Sequence, residues 1–353
     1  MSLSIGIVGL PNVGKSTLFN ALTKKGAEAA NYPFCTIEPN VGIVKVPDER
    51  LEVLAKISKT EKIVPTIIEF VDIAGIVKDA HKGEGLGNKF LSHIRECDAI
   101  CEVVRSFTNK NIIHVNDKVD PDSDKETINL ELVFADLATV EKRLDKVSRE
   151  ARTGNKEMIK LKEVLEKIKI ALDEGRAVRE VSLTDEEKLL VRELNLLTIK
   201  PLLYVLNIDD VANEAFNEPN SQVIRINAKL EEEIASLPEE DQAEYIKELG
   251  LEQSGLDRLI KACYELLNLQ TFLTTGVQET RAWTIKVGTK APQAAGVIHT
   301  DFEKGFIRVE VVSYEDFITA GSEAKARDTG KLRTEGKEYV MKDGDVCNFL
   351  FSK

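Results

Sequence analysis

The sequence predicts an α/β protein: a P-loop NTPase parallel sheet with an inserted α-helical coiled-coil hairpin and a C-terminal α+β module. Three observations carry that expectation. Short β-branched runs alternate with helical patterns from the N-terminus to about residue 120 and resume after residue 200. The turn Gly9-Leu-Pro-Asn-Val-Gly14-Lys15-Ser16 fits G-x-x-x-x-G-K-[ST] between a strand and a helix. Between about Ile128 and Thr198 the apolar period changes to that of a coiled coil.

Element by element, Ser4–Val8 reads as a buried strand and Lys15–Thr23 as a helix. Val41–Val46 and Thr66–Asp72 read as strands, Leu86–Glu96 as a helix and Ala99–Arg105 as a strand. Pro201–Asn207 and Gln222–Asn227 resume the pattern, and Gly255–Leu267 closes it with a helix. Strands alternating with helices imply a parallel sheet covered on both faces. In the insert, Leu130, Val133, Leu137, Val140, Leu144 and Val147 form a seam with alternating steps of three and four. After Thr153-Gly154-Asn155 the pattern restarts at Met158, Leu161, Leu165, Ile168 and Leu172, which predicts an antiparallel hairpin. Thr184-Asp-Glu-Glu187 is a capping-box signature opening a third helix through Leu194. Strands at Arg281–Val287, Gly305–Val312 and Asp345–Phe351, with a helix near Tyr314–Ala320, make up the last module. The expected domains are therefore 1–127 with 199–275, then 128–198, then 276–353.

With 353 residues, 42% hydrophobic and 31% charged, the chain can bury a sizeable core in two or three domains. No apolar run approaches the roughly 20 residues needed to span a bilayer, and Met1 to Gly9 lacks the basic segment and apolar core of a signal peptide. The five cysteines form no CxxC pair, which excludes a zinc ribbon and a secreted disulfide scaffold and points to a reducing cytoplasm. Of these, Cys97 and Cys101 read as buried, whereas Cys35 falls in a loop and is a candidate for redox sensitivity. A net charge of −12 argues against coating nucleic acid by bulk charge, so neither DNA nor a membrane is an expected partner, and a monomer is expected. The charge is uneven. Residues 142–169 carry ten Lys/Arg against five Asp/Glu, and residues 205–260 carry four against fourteen. The helical arm is thus either a solvated face or a surface for RNA or protein.

The glycines of the Gly9–Ser16 turn let successive N–H groups and the helix dipole face a phosphate. Backbone groups from Asn12, Val13, Gly14 and Thr17 would cradle it, Lys15 would reach the β- and γ-phosphates, and Ser16 would ligate magnesium. At the end of a strand, Asp72-Ile-Ala-Gly75 supplies a carboxylate for the magnesium sphere and an N–H for the γ-phosphate. Thr36, in Asn31-Tyr-Pro-Phe-Cys-Thr36, is placed to add a second hydroxyl to the metal when triphosphate is bound. A third element, Asn207-Ile208-Asp209-Asp210, follows another strand. Asp210 suits guanine, whose N1–H and amino group it could accept, whereas Ile208 replaces the lysine that would lie over the base. Asn227-Ala228-Lys229 sits where guanine-binding proteins place a backbone contact, and the chemistry alone leaves ATP and GTP both open.

The phosphate loop, Asn-Tyr-Pro-Phe-Cys-Thr-Ile-Glu-Pro-Asn-Val-Gly, Asp-Ile-Ala-Gly and His81-Lys-Gly-Glu-Gly-Leu-Gly-Asn-Lys-Phe-Leu together resemble the YchF subfamily of Obg-like ATPases. The resemblance covers essentially the whole chain, and the last module resembles a TGS domain. It implies a GTPase-type domain that prefers ATP, hydrolyses it slowly and associates with the ribosome or its rRNA through the arm and the module. It also implies that adenine is read by Asn207 and by the backbone of Ile208. Asp210 stands where the family usually has Glu, which keeps GTP as the alternative.

Hydrolysis needs a group that orients water, and Ile76 occupies the position after D-x-x-G where a glutamine would do so. His114, after the strand Ala99–Arg105, is the first candidate and His81, in the Gly-rich segment, the second. A nucleotide-gated binding module without turnover is the competing reading. Asn12 resembles the residue with which potassium-activated relatives hold a monovalent cation, so potassium is a possible activator beside Mg2+.

Overall fold

The computed structural model describes residues 3–26, 40–73, 87–109, 111–112, 118–209, 216 and 221–352. In chain order the first elements are β1 (Ser4–Val8), α1 (Lys15–Lys24), β2 (Val41–Lys45), α2 (Arg50–Ser58), β3 (Lys62–Val64), β4 (Ile67–Asp72), α3 (Asn88–Glu96) and β5 (Ala99–Arg105). There follow α4 (Pro121–Ala151), α5 (Lys156–Asp173), α6 (Asp185–Val191), β6 (Leu202–Asn207), β7 (Gln222–Ile226), α7 (Ala228–Ile234), α8 (Glu239–Glu248) and α9 (Gly255–Leu266). The C-terminal stretch holds β8 (Leu269–Thr275), β9 (Glu279–Lys286), α10 (Ala291–Ile298), α11 (Thr300–Lys304), β10 (Phe306–Ser313), α12 (Tyr314–Ala320), α13 (Glu323–Asp328), β11 (Arg333–Glu335) and β12 (Asp345–Phe351). The chain forms two compact units, one of residues 1–43 and 69–258, the other of 44–68 and 259–353. Among the described residues no helix is long and apolar enough to cross a membrane.

The first unit is built on a sheet in the order β2–β4–β1–β5–β6–β7, with β1–β4, β1–β5, β5–β6 and β6–β7 all parallel. All seven residues of β5 and all six of β6 are buried, as central strands covered on both faces require. The register pairs Ile7 with Asp72 and Arg105 with Asn207, so the C-terminal ends of β1, β4, β5 and β6 lie at one edge. In an open parallel sheet that edge is where ligands bind.

Between β5 and β6 runs the helical hairpin. Its first helix opens at Pro121, nine residues before the seam begins at Leu130, with Asp120 accepting the Ser123 N–H as the cap. Those added turns have their own partner. Ile128 and Leu132 pack with Ile100, Val104, Leu202 and Leu206 of the sheet, while Val133, Val140 and Val147 pack with Leu161, Leu165, Ile168 and Leu172 of α5. Leu130, which the seam spacing places inside, is 43% exposed. A helix that serves two cores in succession turns its buried stripe between them, and Leu130 falls on the flank. The capping box at Thr184 is present, with Thr184 N donating to Glu187 and Glu187 N to Thr184.

One polar residue anchors the hairpin. Asp136 is fully buried in α4 and accepts from the N–H groups of Leu197 and Thr198 at 2.8 and 2.7 Å and from the Thr198 hydroxyl at 2.7 Å. Burial pushes its carboxyl above the ordinary range; the three donors, and Arg95 at 3.9 Å, oppose the shift.

The second unit carries a mixed sheet in the order β11–β10–β12–β8–β9–β3. Here the structure departs from the expected boundary at 275. Strand β8 pairs antiparallel with β9 from Leu269–Lys286 to Thr275–Thr280 and parallel with β12 at Val346, so residues 269–275 belong to this sheet. The early segment 44–68 also joins it: β3 pairs with β9, and Leu51 and Leu54 of α2 are buried with Leu273, Ala282, Val312 and Val346. Strand pairing is non-local, so a run such as Leu269–Thr275 has no sequence mark saying which sheet it enters. Helices α10, α11 and α13 are further additions, short elements opened by Pro292 in the first turn, by His299 accepting from Asp301 N, and by Ser322 accepting from Lys325 N.

Replacing Asp136 with Ala orphans two buried N–H groups and a hydroxyl. The expected cost is roughly 2–4 kcal/mol in urea unfolding, and a loss below about 0.5 kcal/mol contradicts the anchoring role.

Candidate functional site

The loop between β1 and α1 is shaped by backbone conformations that side chains resist. Gly9 and Gly14 have φ of 148° and 100°, and Asn12 adopts φ 62°. A Cβ on Gly14 would lie 2.2 Å from Asn207 Nδ2, and one on Gly9 would lie 2.4 Å from the Val103 carbonyl. Gly14 is also the N-cap of α1, with no side chain capping the helix and no acidic residue in its first turn. The first N–H groups and the positive end of the helix dipole are therefore left for an anion.

Lys15 lies just inside that opening, 7% exposed, with Nζ donating to the Leu10 carbonyl at 2.6 Å. Burial lowers its pKa to about 8, and the nearby charge of Asp72 works against the fall. Asp72 is 5% exposed at the end of β4, and Ser16 is exposed on the first turn of α1. Thr17 is half-buried, and Val13 is buried with its carbonyl turned to a partner described next.

That partner is Asn207, at the end of β6. Its Nδ2 donates to the Val13 carbonyl at 2.9 Å, and its Oδ1 accepts the Ala228 N–H at 3.1 Å. One amide thus joins the phosphate loop, the end of β6 and the start of α7. Asn227, one residue earlier, caps α7 by accepting the Leu230 N–H. Ile208 donates its own N–H to Ile226, which leaves its carbonyl as the polar group it can present.

Sequence reasoning passed over the wall on the β5 side. Arg105 is the largest fully buried side chain, and it donates to the carbonyls of Phe107, Asn109 and Ile112 at 3.2–3.3 Å while its guanidinium lies 4.3 Å from the Phe107 ring centroid. Asp209 adds a tie from the next strand, accepting both the N–H and the hydroxyl of Thr108 at 3.0 Å. A charged residue ending a mostly apolar strand was the available signal, since such a group is buried only when carbonyls or charges surround it.

These parts enclose a cleft of about 960 Å³, lined by the phosphate loop, Phe107 to Asn109, Asn207 to Asp209 and Asn227 to Leu230, with Glu232 and Glu233 at one side. The structure therefore brings Asn12, Gly14, Lys15, Ser16, Thr17, Asn207, Ile208 and Ala228 to one space. Thr36, Gly75, Ile76, His81, His114 and Asp210 lie outside the described residues, as does Cys35; the other four cysteines are buried and form no disulfide among the described residues. Among the described residues no three His, Cys, Asp or Glu side chains cluster as a metal cage.

A family model described as 50S ribosome-binding GTPase matches residues 4–135, and the YchF-GTPase_C model, described as a protein of unknown function, matches residues 269–352. The second match opens at Leu269, the first residue of β8. The Ribosome-binding ATPase YchF of Bacillus subtilis (strain 168) is 56% identical over 365 residues, covering 100% of both chains. The protein of the same name from Escherichia coli O157:H7 is 54% identical over 362 residues, again covering 100% of each. The structure of the Schizosaccharomyces pombe YchF GTPase superposes with a TM-score of 0.91 at 40% identity, covering 99% of this chain and 98% of that one. Similarity of this degree runs over the whole length of the chain, and this chain belongs to the YchF family.

Proposed function

We propose that this chain is a nucleotide switch that hydrolyses ATP slowly and works on the ribosome, which places it in the cytoplasm. The observation that carries the chemistry is the uncapped start of α1 with Lys15 buried beside it. A triphosphate is the ligand that would occupy both, its oxygens taking the N–H groups of the loop and drawing Nζ away from Leu10. The relatives of the same length bear the name ribosome-binding ATPase, and that supports both the hydrolysis and the partner.

The base is chosen by what Asn207 and Ile208 have left to offer. One N–H of the Asn207 amide is spent on Val13 and its oxygen on Ala228, so a single amide N–H is left to meet a base, together with the Ile208 carbonyl. Adenine presents N7 as an acceptor and a 6-amino donor, which match that pair; guanine presents two acceptors, N7 and O6. The second would oppose the carbonyl. Asp209 is held by Thr108, so it supports the wall rather than a guanine. Ile208 and Phe107 supply apolar surface for the two faces of the ring.

Magnesium fits the oxygen donors at hand. Ser16 and Asp72 would hold it together with phosphate oxygens, since this ion takes one or two protein ligands and keeps waters rather than filling a protein cage. When bound it would neutralise charge between the β- and γ-phosphates. Thr36 and Gly75 complete the set we assign to the triphosphate, Asp210 flanks the base, and Asn12 is our candidate for a potassium ligand. For the attacking water we assign His114 first and His81 second. The second unit we read as TGS-like, and with the hairpin it is our candidate for contact with rRNA.

Calorimetric titration with non-hydrolysable analogues, with and without magnesium, is expected to give tighter binding of ATP than of GTP. Phe107→Ala should weaken the ATP analogue by about tenfold, the scale of one aromatic stacking contact. Equal or tighter GTP binding contradicts the reading of Asn207 and Ile208.

Lys15 predicts opposite pH trends for affinity and stability. Its folded-state pKa of about 8 lies below the ordinary 10.5, so between those values the unfolded chain holds the proton and the free protein does not. Stability of the free protein therefore rises with pH across that window. Affinity for the triphosphate falls, by roughly tenfold per pH unit at most, as the ammonium is neutralised. An affinity that stays level from about pH 8 to 10 excludes the buried-ammonium role.

His114→Ala should lower turnover by about a hundredfold and leave analogue binding intact. Unchanged turnover in that variant, with a loss in His81→Ala, moves the assignment to His81.

A further inference from the structure

Arg105 ends β5 and is 1% exposed, yet it carries a charge. Burying a cation costs more than burying an apolar side chain of the same size, so its place there calls for something that only a guanidinium supplies. Hydrogen bonds account for part of it. Nε reaches the Phe107 carbonyl and Nη2 those of Asn109 and Ile112, which draws the chain back around the guanidinium. Among the described residues Nη1 has no hydrogen-bond partner. The charge is met instead from two sides. One is the Phe107 ring, its centroid 4.3 Å away; the other is Asp124, whose carboxylate opposes the fall in pKa that burial imposes on the guanidinium.

The two partners differ in origin. Phe107 is half-buried and lines the cleft, so the ring that rests on the guanidinium is also a ring open to a base. Arg105 pairs in register with Asn207, so the support for the ring and the amide left for the base edge stand at one step of the sheet. Thr108, the next residue, is fastened separately to Asp209. Asp124 comes from the inserted helix. It lies in the first turn of α4, 2% exposed, and is not among the residues that line the cleft. Because both groups are buried, its field on the guanidinium is weakly screened.

From this arrangement, and resting on the nucleotide reading above, we infer that Arg105 is the positioning residue for the base, with Asp124 as its counter-charge from the root of the inserted helix. The guanidinium gives Phe107 a flat, charged backing, so the ring stands in stacking position before nucleotide arrives and binding does not bear the cost of ordering it. Lysine cannot replace it, because a point charge has neither the fork for three carbonyls nor a plane for the ring. None of these contacts involves the phosphate loop, so the part of the ligand that depends on them is the base.

The test compares two ligands on the full-length chain by calorimetry: a non-hydrolysable ATP analogue, and inorganic tripolyphosphate, which has no base. Arg105→Lys should weaken the analogue by about three- to tenfold and tripolyphosphate by less than about twofold. Added to Phe107→Ala, it should cost the analogue less than about twofold more, because its effect runs through the ring. Asp124→Asn, a change outside the cleft, should show the same base-only loss at about two- to threefold. If Arg105→Lys does not fold, Arg105→Gln, which keeps a forked amide and buries no charge, takes its place in the same comparison. Where tripolyphosphate binds too weakly to titrate, the pairing with Phe107→Ala alone decides. Equal losses for the two ligands overturn the inference, as does full additivity with Phe107→Ala. An unchanged Asp124→Asn overturns the role given to Asp124. An unsubstituted chain that binds the GTP analogue more tightly, with the base-only loss and the non-additivity intact, upholds the positioning role and sinks the ATP reading instead.

Discussion

The side-chain amide of Asn207 sits where three chain segments meet, and the cleft keeps its shape because that amide is satisfied at both ends. Its nitrogen holds the Val13 carbonyl of the phosphate loop and its oxygen holds the Ala228 N–H at the start of α7. Buried amides cost free energy unless paired, so the loop, the strand end and the helix start are held to one geometry. The amide also explains the glycine at position 14, because a side chain there would collide with Nδ2. A requirement written in the loop is thus imposed by a strand far along the chain.

Around that clamp the protein uses charge sparingly and in two ways. Inside, carboxylates close the ends of backbone segments: Asp136 receives the N–H groups of Leu197 and Thr198, and Glu231 those of Gly255 and Leu256. Each is pushed by burial toward the protonated form and held back by its donors. Two buried cations are held differently. Lys15 and Arg105 are each buried against carbonyls, Lys15 against that of Leu10, and Arg105 fixes the wall that carries Phe107. Outside, five of the ten basic residues between 142 and 169 are paired, while Lys142, Lys146 and Arg149 stand along one stripe and Arg152 and Lys156 at the tip, so a chain of net charge −12 still presents a local positive surface.

Much of the first unit was legible before any coordinates. Its strands are apolar runs with covered faces, and its phosphate loop is a spacing that states its own geometry, so both could be placed to within a residue or two. The second unit was less legible. On sequence, residues 269–275 group with the first domain because they follow its closing helix, and the short segment 62–64 has too few residues to show a period, yet both pair with β9. In the arm, a heptad count put Leu130 in the seam because it could not register that the helix begins at Pro121 against a different core.

The sequence by itself determined the phosphate-type loop and the parallel character of the first sheet. The bend at Gly9 and Gly14, the lysine and hydroxyl after it, and the apolar runs are local features, readable because backbone conformation and short-range spacing follow from neighbouring residues. Only the tertiary structure decided that Asn207 spends its oxygen and an N–H on the protein, that Arg105 and Phe107 form a wall of the cleft, where β8 pairs, and which lysines of the arm stay free. Each of these depends on which distant group arrives beside a given side chain, and pairing at a distance is set by packing of the whole fold rather than by any pattern along the chain.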